Sequence, residues 1–166
     1  FGSAGYRVMN TLCFEGGLFR RRIVEKIGLP DPRFFIYWDD TMYGYLASKV
    51  TNSIVVPDVV MRRTRDISNW DIAGLRQLNF TSDMNRYHIL RNRGYMARYF
   101  MVHGDYRPVL FALGTAATVA KEVIRLVAVD REHVRTGLVQ IAKGWRDSHK
   151  LMHDPKWRPM PPLVRQ

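Results

Sequence analysis

The stretch Gly28-Leu-Pro-Asp-Pro-Arg-Phe-Phe-Ile-Tyr-Trp-Asp-Asp-Thr-Met-Tyr-Gly-Tyr-Leu46 carries the pattern around which the chain is organised. Two adjacent carboxylates, Asp39 and Asp40, follow an aromatic run and precede a helical pattern. Apolar positions then recur at the spacing of one helix face, at Tyr43, Leu46, Ala47 and Val50. The sequence therefore predicts a helix over residues 41–50 with the acidic pair at its N-terminus.

The acidic pair admits two interpretations. An Asp at a helix N-terminus caps backbone N–H groups and suits the positive end of the helix dipole, which explains one carboxylate. Two carboxylates held close together disfavour the ionisation of both, which suits one of them to act as a general base. The preceding aromatic run offers flat apolar surfaces on which the C–H faces of sugars pack. Its members are Phe34, Phe35, Tyr37 and Trp38.

The composition limits the class of protein. A length of 166 residues allows one domain, or one domain with a helical extension, and 46% hydrophobic residues suffice for a core. The formal net charge of +11 favours anionic partners such as nucleic acid, anionic lipid or phosphorylated substrates. The single cysteine, Cys13, excludes an internal disulfide, which fits a reducing compartment. Its strand-like surroundings predict a small buried residue.

Three motifs, taken in order, resemble one known family. The first is Cys13-Phe-Glu-Gly-Gly-Leu-Phe-Arg-Arg-Arg-Ile-Val-Glu-Lys-Ile-Gly-Leu-Pro-Asp31, and the second is Phe34-Phe-Ile-Tyr-Trp-Asp-Asp40. The third is Tyr87-His-Ile-Leu-Arg-Asn92. Between residues 10 and 100 the chain is thereby similar to the second half of the catalytic domain of family 2 glycosyltransferases. The resemblance points in particular to bacterial rhamnosyl- and galactofuranosyltransferases of cell-surface polysaccharide synthesis.

The resemblance implies an inverting transfer of a sugar from a nucleotide-sugar donor to a saccharide or lipid-linked acceptor. Asp40 would be the catalytic base that deprotonates the acceptor hydroxyl, and Asp39 would tune this base or hold the acceptor. The implied substrate-binding residues are Trp38 and Tyr37 on the sugar, Glu15, Gly16 and Gly17 beside the donor sugar, and Arg62 and Arg63 on phosphate. From the residues alone, the glycines are better explained by turn geometry, and the arginines equally form a solvated edge.

The resemblance also implies the architecture, which is α/β. Residues 1–66 would form the acceptor-side portion of a Rossmann-like GT-A domain, residues 67–153 a helical extension, and residues 154–166 a proline-rich tail. The family's Asp-x-Asp motif, which binds a divalent metal such as Mg or Mn, is missing from this sequence. We therefore expect a fragment that lacks the donor-binding half and is inactive alone. Shortly after a strand in this part of the chain, the family often has a His that helps to bind the metal. This chain has Met61-Arg62-Arg63 there, so an arginine is expected to neutralise the diphosphate instead.

Turn residues and periodicity predict the elements of the first part and the segment that follows it. β-strands are expected at residues 11–14, 53–56 and 59–61. A turn is expected at residues 15–17, followed by a helix that ends at Gly28. The segment from Trp70 to Leu78 has the pattern of a short helix in a loop.

Three longer helices are expected beyond residue 82. The first begins at Asp83 and breaks at Gly104, with a core stripe of tyrosines flanked by the solvated arginines Arg86, Arg93 and Arg98. The second has an apolar face made of Val109, Leu113, Ala116, Ala117, Ala120, Ile124 and Val127. The third is capped by Asp130, and one side carries Val134, Leu138, Ile141 and Trp145. The tail from Asp154 is expected to be extended or disordered.

The net charge and the helices also allow other functions and a location at the membrane. No stretch is long and apolar enough to span a membrane, so we expect a cytoplasmic protein, held peripherally on the anionic inner face of the cell membrane by basic amphipathic helices. A rival interpretation is a nucleic-acid-binding module, driven by the arginines and tyrosines of the helix after Asp83. Another is a helical interaction domain in which the acidic pair only caps a helix. The ordered motifs favour the glycosyltransferase, for which no nucleic-acid partner is expected.

Overall fold

The computed structural model of the chain describes residues 5–58, 62, 64, 70–72, 75–78 and 80–164. The regular elements of the described residues are helices and short antiparallel strands, so the chain is a mixed helix-and-strand protein. It divides into two compact units. The first comprises residues 1–65 with residues 158–166, and the second comprises residues 66–157.

The first unit contains two helices and one two-stranded sheet. Its elements are strand β1 (Arg7–Met9), helix α1 (Arg21–Ile27), a 3-10 turn (Pro32–Phe34), helix α2 (Asp39–Ser48) and strand β2 (Ser53–Val55). Strands β1 and β2 pair antiparallel, with Val8 opposite Ile54. The strand predicted at 53–56 is therefore confirmed as β2, and the strand predicted at 59–61 lies outside the described residues.

The strand predicted at residues 11–14 is wrong, because this segment packs under α2 instead of pairing with another strand. A Cβ on Gly44 of α2 would collide with the backbone of Thr11 and Leu12. Helix α2 thus rests directly on the backbone of this segment. Cys13 is exposed rather than buried, since it lies in this irregular segment.

The buried side of α2 forms the centre of the first unit. Met42, Tyr43 and Ala47 of α2 are each at most 4% exposed, and Phe34 is 1% exposed. Helix α1 ends at Gly28, as predicted, with a φ of 82°. For the tail, predicted to be extended or disordered, the described residues up to 164 are held in place, because the backbone N–H of Leu163 donates to the carbonyl oxygen of Glu25 at 3.0 Å.

The second unit begins with a hairpin where the sequence predicted a helix. Strands β3 (Trp70–Ile72) and β4 (Leu75–Leu78) pair antiparallel, with Trp70 opposite Leu78 and Ile72 opposite Leu75. The two runs are separated in the sequence by two residues, Ala73 and Gly74, which is a hairpin spacing. This two-residue spacing in the sequence favours two strands over a helix.

Three long helices follow the hairpin. They are α3 (Asp83–Val102), α4 (Pro108–Ala128) and α5 (Val134–Met152), with a 3-10 turn at Arg131–His133 before α5. The Ser82 hydroxyl caps α3 by accepting from the N–H of Asn85 at 3.2 Å. Helix α3 ends just before Gly104, which has a φ of 72°, so the predicted break is confirmed.

Helices α3 and α5 pack closely at positions that carry almost no side chain. A Cβ on Gly94 of α3 would collide with the backbone of Ser148 of α5, and a Cβ on Gly144 of α5 would collide with the carbonyl of Tyr87. The buried face of α5 therefore consists of Gly137, Ile141, Gly144 and Ser148. The predicted face is largely wrong, because Leu138 and Trp145 are exposed.

Buried charges connect the helices of the second unit. Arg86, predicted to be solvated, is 1% exposed and forms ion pairs with Asp83, at 2.8 Å, and with Asp130. Asp130 does not cap α5 as predicted, since it binds Arg86 and accepts from the N–H of Thr81 at 3.3 Å. Arg93, also predicted to be solvated, is only 7% exposed.

Candidate active site

The acidic pair lies in the first turn of α2. Trp38 is the N-cap residue, and Asp39 and Asp40 are the first two residues of the helix. Both carboxylates are half-buried. They lie at the helix end where free backbone N–H groups and the helix dipole favour negative charge. The pair is thus part of the helix, whereas the sequence placed it just before residue 41.

The backbone that leads into α2 is strained. The N–H of Ile36 donates to the carbonyl oxygen of Phe34 at 2.7 Å, and Phe35 between them has φ 63° and ψ −57°. This is the geometry of the rare γ-turn with positive φ. Tyr37 and Trp38 follow with φ values of 66° and 69°, and among the described residues these three are the only non-glycine residues with positive φ. Such strain concentrates at functional sites.

Hydrogen bonds and an ion pair hold the backbone on the N-terminal side of the strained segment. Asp31 is 9% exposed and accepts from the backbone N–H of Arg33 at 3.0 Å. The Arg33 guanidinium binds both oxygens of Asp31, at 2.8 and 2.6 Å, and also donates to the carbonyl oxygen of Arg158 at 2.9 Å. Because a two-bond contact of this kind restricts orientation as well as distance, it fixes the chain just before the γ-turn.

The two carboxylates differ in their surroundings. Oδ1 of Asp40 accepts from the backbone N–H of Thr41 at 2.6 Å and from the Thr41 hydroxyl at 3.3 Å. Within the part of the chain that the structure describes, no hydrogen bond engages the other oxygen of Asp40, and no ion pair involves Asp39. A carboxylate that is fixed through one oxygen and open at the other can accept a proton from a hydroxyl group. Thr41 is a site residue that the sequence reasoning missed.

Tyr43, one turn after the acidic pair, anchors α2. Its hydroxyl donates to the carbonyl oxygen of Gly28 at 2.9 Å, and burial raises the pKa of this phenol. Its ring lies 5.0 Å from the Phe19 ring and 5.8 Å from the Phe14 ring, measured between centroids. These contacts stabilise the helix that presents the acidic pair.

The predicted turn at Glu15, Gly16 and Gly17 is present and follows Phe14 directly. The N–H of Gly17 donates to the carbonyl oxygen of Phe14 at 3.2 Å, and Gly16 has a φ of 82°. All three turn residues are exposed. Since the Phe14 ring packs on Tyr43, the structure attaches this turn to the flank of α2.

The predicted arginines are not brought into this arrangement by any described contact. Arg62 is exposed, and Arg63 lies outside the described residues. The first unit also has a cleft of about 600 Å³ at another place. Its lining residues are Arg7, Val8, Met9, Asn10, Ser48, Thr51 and Asn52. Because none of the predicted site residues lines this cleft, we centre the candidate site on the start of α2.

A metal site does not assemble from the described side chains. Within the ranges that the structure covers, no three His, Cys, Asp or Glu side chains are grouped as metal ligands. Asp39 and Asp40 by themselves supply fewer ligands than Mg needs for its octahedral shell, so the metal implied by the resemblance would require further ligands.

The chain is thus a mixed helix-and-strand protein. Its candidate site is a carboxylate pair at a helix N-terminus, which directly follows a strained aromatic segment. Comparisons with protein-family models, with curated proteins and with solved structures find no match for this chain. None of the described helices has the length and apolar character needed to cross a membrane.

Proposed function

We propose that this chain is the acceptor-side portion of an inverting GT-A glycosyltransferase, with Asp40 as its catalytic base. The observation that carries the proposal is the placement of the acidic pair in the first turn of α2, directly after the strained residues 35–38. A carboxylate pair used only as a helix cap does not require three positive φ values within the four residues that precede it. A site that must aim specific side chains at a substrate does.

The proposed reaction is a single displacement. Asp40 accepts the proton of an acceptor hydroxyl on its open oxygen while that hydroxyl oxygen forms a bond to the anomeric carbon of the donor sugar. The bond from the anomeric carbon to the diphosphate oxygen breaks with its electron pair, and the nucleoside diphosphate leaves. Thr41 holds the other oxygen of Asp40, which keeps the open oxygen in one orientation.

The neighbouring side chains bind the two sugars. The half-buried Tyr37 and Trp38 offer ring surface next to the base, so in this proposal they pack on the acceptor sugar, and Asp39 accepts hydrogen bonds from its hydroxyls. The exposed turn at residues 15–17 lines the donor-sugar side. Arg62 and Arg63 would contact phosphate.

The metal belongs to the donor side of this proposal. A divalent ion such as Mg or Mn, when bound, would stabilise the negative charge of the departing diphosphate. An Asp-x-Asp motif of the kind that holds it in the family is missing from this sequence. No role of the residues above depends on it.

The buried arginines weaken the nucleic-acid interpretation. That interpretation needed cations along α3 to contact phosphates, but Arg86 and Arg93 are 1% and 7% exposed. Both are already bonded to protein groups. The cations left on α3 for a nucleic acid are therefore fewer than the sequence indicated.

The test is donor-dependent nucleotide release by the longest natural form of the protein. A panel of nucleotide sugars is paired with lipid-linked and oligosaccharide acceptors. We expect release with one donor, reduced about 10²–10⁴-fold by Asp40→Asn, because the loss of a general base costs that much in rate. The same change at the exposed Asp58 is the matched control and should leave release unchanged. Equal release by the wild type and Asp40→Asn would show that Asp40 only caps α2.

A further inference from the structure

Helix α4 has the reverse of the usual arrangement, with its apolar face exposed and its polar face buried. We call the exposed apolar side the outer face of α4. It consists of Val109, Leu110, Leu113, Ala116, Ala117, Ala120, Ile124 and Val127. Val109 is 72% exposed, Leu113 is 62% exposed and Val127 is 56% exposed. In a helix that only covers its own core, these side chains would face inward.

The buried face of α4 explains why the outer face cannot simply rotate inward. Arg93 of α3 donates to the hydroxyls of Thr115 and Thr118, at 2.7 and 3.3 Å. One turn further on, Glu122 and Arg125 form a buried ion pair at 2.5 Å, with each residue at most 5% exposed. Rotation of α4 would expose Leu126 and break the bonds from Arg93 of α3, so the orientation of the helix is fixed.

The outer face is long and continuous. From residue 109 to residue 127 a helix extends about 27 Å at 1.5 Å per residue. Over this length the exposed side chains at the centre of the face are all aliphatic. An exposed apolar surface of this length marks a site of interaction with a protein or a membrane.

The charged side chains on and near α4 indicate that the outer face binds an anionic partner. Between residues 107 and 152 the exposed Lys and Arg side chains are Arg107, Lys121, Arg131, Arg135, Lys143, Arg146 and Lys150. The only exposed acidic side chain in that range, all of which the structure describes, is Glu132. Arg107 and Arg131 lie beyond the two ends of α4, and Lys121 lies at the edge of its outer face. Arg135, Lys143, Arg146 and Lys150 lie on α5, so the positive charge that accompanies the apolar face is that of Arg107, Lys121 and Arg131.

We propose that the outer face of α4 lies in the interface of an anionic lipid membrane, with the aliphatic side chains among the acyl chains and the basic side chains on the lipid phosphates. Interfacial helices bind by this combination of apolar area and basic charge. A second copy of this chain is a poorer occupant, because it would bring the same excess of positive charge to the same face, and each chain already carries +11. The proposal does not rest on the glycosyltransferase assignment, since binding to lipid is measured without any reaction.

The test is co-sedimentation of the longest natural form of the protein with vesicles. Vesicles with about a third phosphatidylglycerol are compared with vesicles of phosphatidylcholine alone, in low and in high salt. We expect binding to the anionic vesicles that weakens as salt rises. The double variant Leu113→Glu/Val127→Glu should bind at least about tenfold more weakly, because it places two carboxylates in the acyl region. Lys121→Gln should weaken binding about fivefold.

The matched control is Leu163→Glu/Val164→Glu. It makes the same two changes, with the same change in net charge, at tail residues that are 54% and 55% exposed. It should keep most of the binding, and the far-UV circular dichroism of all variants should match that of the wild type.

Three results would overturn the proposal. The first is binding that ignores lipid charge and salt. The second is an equal loss of binding in both double variants. The third is a dimer in solution that Leu113→Glu/Val127→Glu dissociates while vesicle binding stays the same, which would assign the outer face to a second copy of the chain.

Discussion

The carbonyl oxygen of Phe34 accepts a hydrogen bond from the N–H of Ile36 at 2.7 Å, and this bond closes a γ-turn around Phe35. Phe34 is 1% exposed, whereas Phe35 is 68% exposed. The Phe34 ring is therefore packed in the core, and the strained backbone places the Phe35 ring in solvent. The strain precedes the acidic pair by only a few residues.

Phe35→Gly should relieve this strain. At an ordinary position Gly is less stable than Ala by about 0.5–1 kcal/mol, because it has more freedom to lose on folding. At Phe35 the order should reverse, with Phe35→Gly more stable than Phe35→Ala by about 1 kcal/mol, since only Ala keeps the Cβ that opposes positive φ. Urea denaturation of the two variants measures the difference. A Gly variant less stable than the Ala variant would show that the turn is unstrained.

Gly44→Ala should destabilise the first unit. A Cβ there would collide with the backbone of residues 11 and 12, which cannot move aside as a flexible side chain can. We expect a loss of about 1–3 kcal/mol in the free energy of unfolding, as for other overpacked positions.

Gly114→Ala in α4 is the matched control for Gly44→Ala. Its added Cβ would meet only the far end of the Arg93 side chain, at 3.2 Å. Helix propensity favours Ala by about 0.5–1 kcal/mol and the shift that Arg93 must make offsets part of this gain, so stability should change by less than about 1 kcal/mol. Thermal or urea unfolding that showed equal effects at both positions would contradict the close packing of α2 on residues 11–12.

Arg86→Met should be strongly destabilising. It leaves the carboxylate of Asp130, whose side chain is fully buried, without its cation. Removing one partner of a buried pair costs about 3–5 kcal/mol. Urea denaturation should also show that Arg86→Met/Asp130→Leu loses less than the sum of the two single variants, because no unpaired charge remains. Arg21→Met, at an exposed pair of 2.9 Å with Glu25, should change stability by less than about 1 kcal/mol.

His88 should make the fold less stable in mild acid. Burial and the charge of Arg91 lower the pKa of His88 below its ordinary value of 6.5. The unfolded chain therefore binds the proton more readily, so the contribution of His88 to stability is complete above about pH 6.5 and is lost as the pH falls through its folded-state pKa. The melting temperature should drop between pH 7.5 and pH 5 in the wild type, and less in His88→Gln. The same change at the exposed His153 should leave the wild-type drop in place.

The acidic pair, the aromatic run and most helix ends could be read from the sequence, because these features depend on local chemistry. Gly28 and Gly104 end helices through their positive φ values, and Ser82 caps α3 with its own hydroxyl. Each of these effects acts within a few residues of the chain. The γ-turn at Phe35 left no such signal, since no glycine or asparagine marks it.

The burial of charge could not be read from the sequence. In the sequence, the positions of Arg86 and Arg93 do not differ from those of solvated arginines. Each is buried because it bonds to a partner far along the chain. For Arg86 that partner is Asp130, and for Arg93 it is the hydroxyl pair of Thr115 and Thr118. The predictions of solvated arginines and of an Asp130 cap failed for this reason.

The sequence by itself determined the three long helices beyond residue 82 and that α4 has one apolar face, because periodicity and end signals are properties of neighbouring residues. Only the tertiary structure decided which way that face points. Glycines at positions 94 and 144 let α3 and α5 approach each other closely, and the hydrogen bonds from Arg93 of α3 to Thr115 and Thr118 keep the polar face of α4 inward. The direction of an amphipathic face depends on what the rest of the chain places beside it, and here those neighbours are polar.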